Sequence, residues 1–299
     1  MAIHEIKNNL YLVDLDQDLP GFRQFISTWI YSSNNKTIVI DPGPASTIKV
    51  LRQALKELNF SKIDYILLTH IHIDHAGGTG LLLNDFPHAK VVCHPIGMPH
   101  LMDPQRLWQG SLKVLGNVAK AYGPIAAIPR EKLIYPEKIT DEDLSVAIYP
   151  TPGHASHHVN YLVDQILFAG EVGGVHIKWN NDFYLRVATP PQFIFEVYKG
   201  SLFKMADVPC EKICFGHYGH TNHPDTFFSR AKQQLNLWMY ICQEMVANKQ
   251  FDEKQIFNAL LERDPSLQYF SEFDPDIQER EEYFSLNSIK GMIEYLKTV

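Results

Sequence analysis

The chain lacks a cysteine pair of the kind used in zinc ribbons or redox motifs: its four cysteines, Cys93, Cys210, Cys214 and Cys242, contain no CxxC. Cys210 and Cys214 stand four apart, but Cys214 lies in the apolar run 212–215, where a buried strand thiol is the simpler reading. Basic charge is also scarce. Acidic residues outnumber basic ones 34 to 27, the formal net charge is −7, and no dense Lys/Arg block occurs. A duplex-binding protein would show a basic stripe, so no nucleic-acid partner is expected. No apolar run is long enough to span a bilayer, and residues 1–10 include His4, Glu5 and Lys7, unlike a secretory core segment. The expectation is no membrane partner and a reducing, cytoplasmic setting. Internal repeats, low-complexity linkers and a GxSxG nucleophile context are absent too.

The run His70-Ile71-His72-Ile73-Asp74-His75, followed by Ala76-Gly77-Gly78, places three imidazoles and a carboxylate in six positions. These are ligand types that borderline cations such as zinc prefer. Residues 70, 72 and 74 share one direction in an extended segment, and a turn at 74–75 brings His75 to a second position. One ion rarely takes four side chains from so short a stretch, so the spacing suggests ligands divided between two ions. Three more ligand types follow strands: His154 in Thr151-Pro152-Gly153-His154, Glu171 in Ala169-Gly170-Glu171, and His217 after Gly216.

The 299 residues, 45% hydrophobic and 20% charged, suit one large core with an extension or two modest domains. Strands are expected at 10–14, 25–31, 37–40, 63–68, 90–93, 145–149, 159–163, 165–169 and 212–215. Helices are expected at 46–58 and 80–85, after Pro191, and at 227–248, 253–262 and 286–297. The stretch from about 95 to 135 reads as a helical insert with one helix at 105–121.

With Asp41 after the third strand, THIHIDHAGG at 69–78, TPGH at 151–154, AGE at 169–171 and GH at 216–217, the sequence resembles the metallo-β-lactamase-fold superfamily of metallo-hydrolases over roughly residues 10–225. The resemblance implies a mixed α/β (α+β) fold: a four-layer αββα sandwich with a helical insert and a helical C-terminal extension. Residues 1–224 would form the catalytic domain, and 225–299 an extension packed on its core. It implies His70, His72 and His154 at a first metal, Asp74, His75 and His217 at a second, and Glu171 between them. Asp41 would brace the histidine loop from outside. Asp74 would also orient the attacking water or take its proton, which makes it the catalytic residue. The family usually has Asp where Glu171 stands. The longer side chain leaves open a normal dinuclear site, a tilt toward iron or manganese, or a weak second site. Two divalent ions are expected, zinc first.

The expected activity is hydrolysis of a small ester, thioester, lactone or phosphoester by metal-activated water. An iron-dependent oxidoreductase resembling persulfide dioxygenases is the alternative, and a nuclease of the same fold is disfavoured by the acidic balance. A flavodiiron role is disfavoured because no flavodoxin-like module follows. Tyr184, Arg186 and His220 are the expected substrate contacts, Arg186 because a guanidinium grips anions in bidentate fashion. His157 and His158 read as strand-entry polar residues, and His94, His100 and His176 as surface or loop residues. Trp108, Leu112 and Leu115 suit core or homodimer contacts, and 279–282 reads as a solvated helix face.

Overall fold

The structure is a computed structural model that describes residues 2–141, 144–189, 192–247 and 252–299. The N-terminal sheet takes its strands in chain order: β1 (Ile3–Lys7), β2 (Leu10–Asp14), β3 (Ser27–Ser33), β4 (Lys36–Ile40), β5 (Tyr65–Leu67), β6 (Lys90–Val92) and β7 (Leu133–Ile134). Its first strands pair antiparallel; β4 through β7 run parallel, joined by α1 (Ile48–Glu57), α2 (Ile73–Ala76), α3 (Thr79–Leu83), α4 (Met98–Met102), α5 (Gln105–Leu115) and α6 (Asn117–Tyr122). The second sheet uses β8 (Lys138–Asp141), β9 (Leu144–Pro150), β10 (Val159–Val163) and β11 (Ile166–Phe168). A separate ribbon, β12 (Val175–Trp179) with β13 (Asp182–Arg186), and helix α7 (Phe195–Ala206) intervene before β14 (Lys212–Cys214) and β15 (His220–Thr221) complete that sheet. Among the described residues the α-helices that follow are α8 (Pro224–Ala247), α9 (Glu253–Arg263) and α10 (Pro275–Leu296).

Strand periodicity of two explains the layering. Ile38 and Ile40 face one way and Val39 the other; Leu67 opposes Ile66 and Leu68. The first set meets Val146, Tyr161 and Phe168 of the second sheet and fills the space between sheets. The opposite face of the first sheet is covered by the first-half helices through Leu51, Leu55 and Leu82. The outer face of the second sheet, with Leu167 and Ile213, is covered by α7 to α10 through Leu202, Trp238 and Ile289. The result is the expected αββα order of layers. The C-terminal helices share one core with residues 167–215.

Several details differ from the pattern reading. The insert helix breaks in two at Gly116, whose φ of 56° lies in the left-handed region that only glycine adopts freely. Helix α5 has no fully buried residue, while Leu107, Trp108, Leu112 and Leu115 pack half-buried on the core. The last helix begins at Pro275, three turns before the expected start. Residues 279–282 are not a solvated face: Arg280 is 5% exposed and Glu281 0%. Residue 248, the expected end of α8, lies outside the described residues, as do 190 and 191 before α7.

Candidate metal centre

Every candidate ligand sits where a strand of one of the two sheets runs out. His70 and His72 follow β5, Asp74 and His75 lie on α2, His154 follows β9, Glu171 follows β11 and His217 follows β14. The two sheets present these ends to one another, so residues up to 147 positions apart meet. Ligand atoms of His70, His72 and His154 lie within 4.8 Å of one another, as do those of Asp74, His75 and His217. Glu171 is central. Its Oε2 is 3.2 Å from Nε2 of His70 and of His154 and 3.7 Å from Nε2 of His75, while Oε1 is 2.9 Å from His217 Nε2.

The hydrogen bonds around the cluster decide which ring nitrogens face inward. The Thr69 hydroxyl donates to Asp41 Oδ2 at 2.6 Å, so at 3.0 Å it accepts from His70 Nδ1. That leaves the His70 Nε2 lone pair aimed at the cluster, buried and without a hydrogen-bond partner among the described residues. His154 Nδ1 donates to the Ala188 carbonyl at 3.1 Å, so its Nε2 also points inward. His75 Nδ1 donates to Asp41 Oδ2 at 3.1 Å. Asp41 additionally accepts from the Thr69 amide at 2.8 Å, and so ties both ends of the histidine loop to the end of β4. It holds a φ of 51°, a conformation Asp tolerates better than most residues.

Charge follows the same geometry. Burial, then the neighbouring imidazoles His75, His72 and His154, push His70 well below the ordinary histidine range. Burial and His154 lower His72 to about 4. At His75 burial opposes charge, but Asp74, Glu171 and Asp41 together raise it to about 10. Glu171 stays ionised: burial is outweighed by His154, His217 and His75. An oxygen that faces imidazole lone pairs without receiving a hydrogen bond is repelled unless something positive stands between them. Imidazole nitrogens around a carboxylate are the donor set that a borderline divalent cation takes once it displaces the proton His75 holds, so the residues fit a metal.

The profile of the metallo-beta-lactamase superfamily matches residues 21–217. The chain belongs to the metallo-beta-lactamase superfamily. Within it, the chain is 29% identical over 223 residues to the metallo-beta-lactamase fold-containing protein ST1585 of Sulfurisphaera tokodaii, covering 72% of this chain and 80% of that protein. The crystal structure of ST1585 superposes with a TM-score of 0.63 over 75% of this chain and 86% of that one. A metallo-beta-lactamase family protein from Thermus thermophilus gives a TM-score of 0.69 at 18% identity, covering 98% and 95% of the two chains. The hydroxyacylglutathione hydrolase of Aliivibrio fischeri is 32% identical over 127 residues, 39% of this chain; the chain spans about half of that protein, 48%.

In this superfamily member two histidines read as strand-entry residues turn inward instead. His158 is fully buried; its Nε2 accepts from the Glu171 amide at 3.1 Å and its Nδ1 donates to Thr151 Oγ1 at 2.9 Å. It lies close enough to His70 and Glu171 to count as a ligand by distance, but both ring nitrogens are engaged. Its work is to hold the backbone of Glu171. Gly170 makes this approach feasible: a Cβ there would sit 2.3 Å from His158 Nε2, and its φ is 49°. His157 accepts from the Ile71 amide at 3.4 Å, and burial lowers its pKa to about 2. The sequence signal was the interval of four from His154 to His158, which carries the chain around one tight turn.

The expected substrate contacts fare differently. Tyr184 is fully buried against Phe273 at 5.1 Å. Arg186 is 2% exposed and bonded through Nε to Glu281 at 2.7 Å. Both belong to the seam between the ribbon and α10, because burying a guanidinium requires a carboxylate partner and α10 supplies one. His220 pairs on β15 and meets Trp29 edge-on at 6.4 Å. His176, read as a surface or loop residue, is 3% exposed and stacks on Phe215 at 4.2 Å.

Proposed function

We propose that the chain is a metal-dependent hydrolase that works through a dinuclear centre on a small-molecule ester, thioester, lactone or phosphoester. The observation that carries this reading is Glu171, whose two oxygens reach ligand atoms of both three-residue groups. His70, His72 and His154 would hold one ion, Asp74, His75 and His217 the other, and Glu171 both. Zinc is the first choice, with iron or manganese as alternatives, since the set offers nitrogen and oxygen but no thiolate. Bound there, the ions would supply water of lowered pKa and polarise the scissile bond.

The chain's own residues define the rest. Asp74, less buried than the histidines at its side, would orient the water and receive its proton. Asp41 and Thr69 fix His70 and His75, and His158 fixes Glu171, so the site is pre-formed. The likeness to hydroxyacylglutathione hydrolases over part of the chain puts thioesters first among substrates. No helix among the described residues is long and apolar enough to cross a membrane. The four cysteines are free, which suits a cytoplasmic setting. A homodimer contact would run through the insert, where Val114 of α5 stands exposed.

The test is a panel of esters, thioesters, lactones and phosphodiesters on protein of known metal content. Turnover of at least one class, abolished by His72→Ala, supports the reading. Turnover that persists in His72→Ala, or none in the zinc-loaded chain, contradicts it. Iron as the dominant bound ion, with oxygen consumption, would favour the dioxygenase alternative.

A further inference from the structure

Helix α6 ends in Tyr122, whose side chain is 1% exposed and whose hydroxyl has no hydrogen-bond partner among the described residues. Buried hydroxyls are rarely left so, because the lost hydration is not repaid; such a group is met by water or a ligand. The position is telling. Helix α6 packs against α2, which carries Asp74 and His75. The Tyr122 ring stands edge-on to Phe22 at 6.3 Å, Phe22 meets Phe25 at 5.3 Å, and Phe25 lies 4.4 Å from the His217 ring. Phe284 of α10 stacks on Phe25 at 5.7 Å. The charges acting on the phenol belong to the same region: Asp74 foremost, then Arg280 and Glu171. Burial with these carboxylates holds its proton on, well above the ordinary tyrosine range. Arg280 does not compete as a donor, since it is bound to Glu281 and to the Gly21 carbonyl.

We propose that Tyr122 is a further catalytic residue, its hydroxyl donating to the reacting carbonyl oxygen of an ester or thioester substrate. The assignment rests on the hydrolase reading above. As the water oxygen bonds to the carbonyl carbon, the π pair moves onto the carbonyl oxygen, and Tyr122 donates to that oxygen while keeping its own proton. When the carbonyl re-forms, the alkoxide or thiolate leaves with the electrons of the broken bond and takes up the proton lost by the water. Phe22 and Phe25, both buried, and the partly buried Phe284 make the surroundings of this donor apolar, which strengthens a hydrogen bond made there.

Tyr122→Phe removes one oxygen and keeps the ring. On the zinc-loaded full chain and the best ester or thioester of the panel, kcat should fall roughly 100-fold, the scale of a lost oxyanion donor. KM should stay within about threefold, and the melting temperature should hold or rise. An unchanged kcat overturns the assignment. If the wild-type chain turns over nothing, the hydrolase reading fails separately, and fluorine NMR decides on Tyr122. In protein carrying meta-fluorotyrosine, the resonance missing from Tyr122→Phe belongs to Tyr122. Acetohydroxamate should move it in zinc-loaded protein and not in chelator-stripped protein; a resonance that ignores acetohydroxamate in both overturns the proposal.

Discussion

Replacing Glu281 with glutamine leaves two guanidinium groups buried without the anion they share. Glu281 is 0% exposed; Oε2 accepts from Arg186 Nε at 2.7 Å and Oε1 from Arg280 Nε at 3.0 Å. Removing one member of a buried ion pair costs about 3–5 kcal/mol, because the remaining charges keep their desolvation penalty. For 299 residues at about 2.1 cal/mol/K each, the unfolding entropy is roughly 0.6 kcal/mol/K, so the melting temperature should drop by about 5–8 °C. The assay is thermal and urea unfolding of wild type and Glu281→Gln at neutral pH. The pH dependence has a definite sign. Burial opposes ionisation of Glu281, but Arg186 and Arg280 hold its carboxyl below the usual range. Its stabilisation is therefore present above the unfolded value of about 4.3 and lost as pH falls through the lower folded value. The gap between wild type and variant should close in that acid window. A second variant, Arg186→Met/Glu281→Leu/Arg280→Met, replaces the triad with apolar groups and should recover most of the loss. A loss below about 1 kcal/mol in Glu281→Gln refutes the placement of this triad in a desolvated seam. The seam matters for function because the same helix sets Phe284 on Phe25, next to His217.

Two further outcomes follow from the geometry of the centre. His75, raised to about 10, carries a proton at neutral pH that a cation must displace, whereas His72 at about 4 is already neutral. Zinc affinity measured by chelator competition should tighten about tenfold per unit between pH 6 and 8, and a flat profile contradicts the carboxylate cage around His75. Asp41→Asn keeps the side-chain shape but removes the anion that orients Thr69 and His75. Zinc affinity in that variant should fall about 10–100-fold with secondary structure by circular dichroism intact; unchanged affinity refutes the bracing role.

How much of this was legible in the chain depended on how locally each feature is encoded. His70 to His75 crowd their chemistry into six positions, so no tertiary information was needed to suspect a metal. Glu171 and His217 were legible because each follows an apolar strand and a glycine, and strand ends are where two facing sheets place side chains. Arg280 and Glu281 were misread because nothing nearby reveals Arg186, 95 positions from Glu281, as their partner. A charge run looks solvated until its counter-charge is known. The ribbon β12–β13 was invisible for a related reason: His176 and Arg186 interrupt its apolar pattern, yet the C-terminal helices bury both. Tyr122 carried no local signal, since its surroundings arise only when α6 docks on α2. The break at Gly116 hides among good helix formers, where one glycine is a weak stop.

The central claim is that one centre, shared through Glu171, binds two cations. Chelator-stripped protein titrated with zinc, with bound metal counted by mass spectrometry against protein concentration, addresses it directly. The account predicts two ions per chain, and fewer than two in His72→Ala and in Glu171→Ala. Binding of one ion or none by the unmodified chain, or two ions held equally well by both variants, would contradict it.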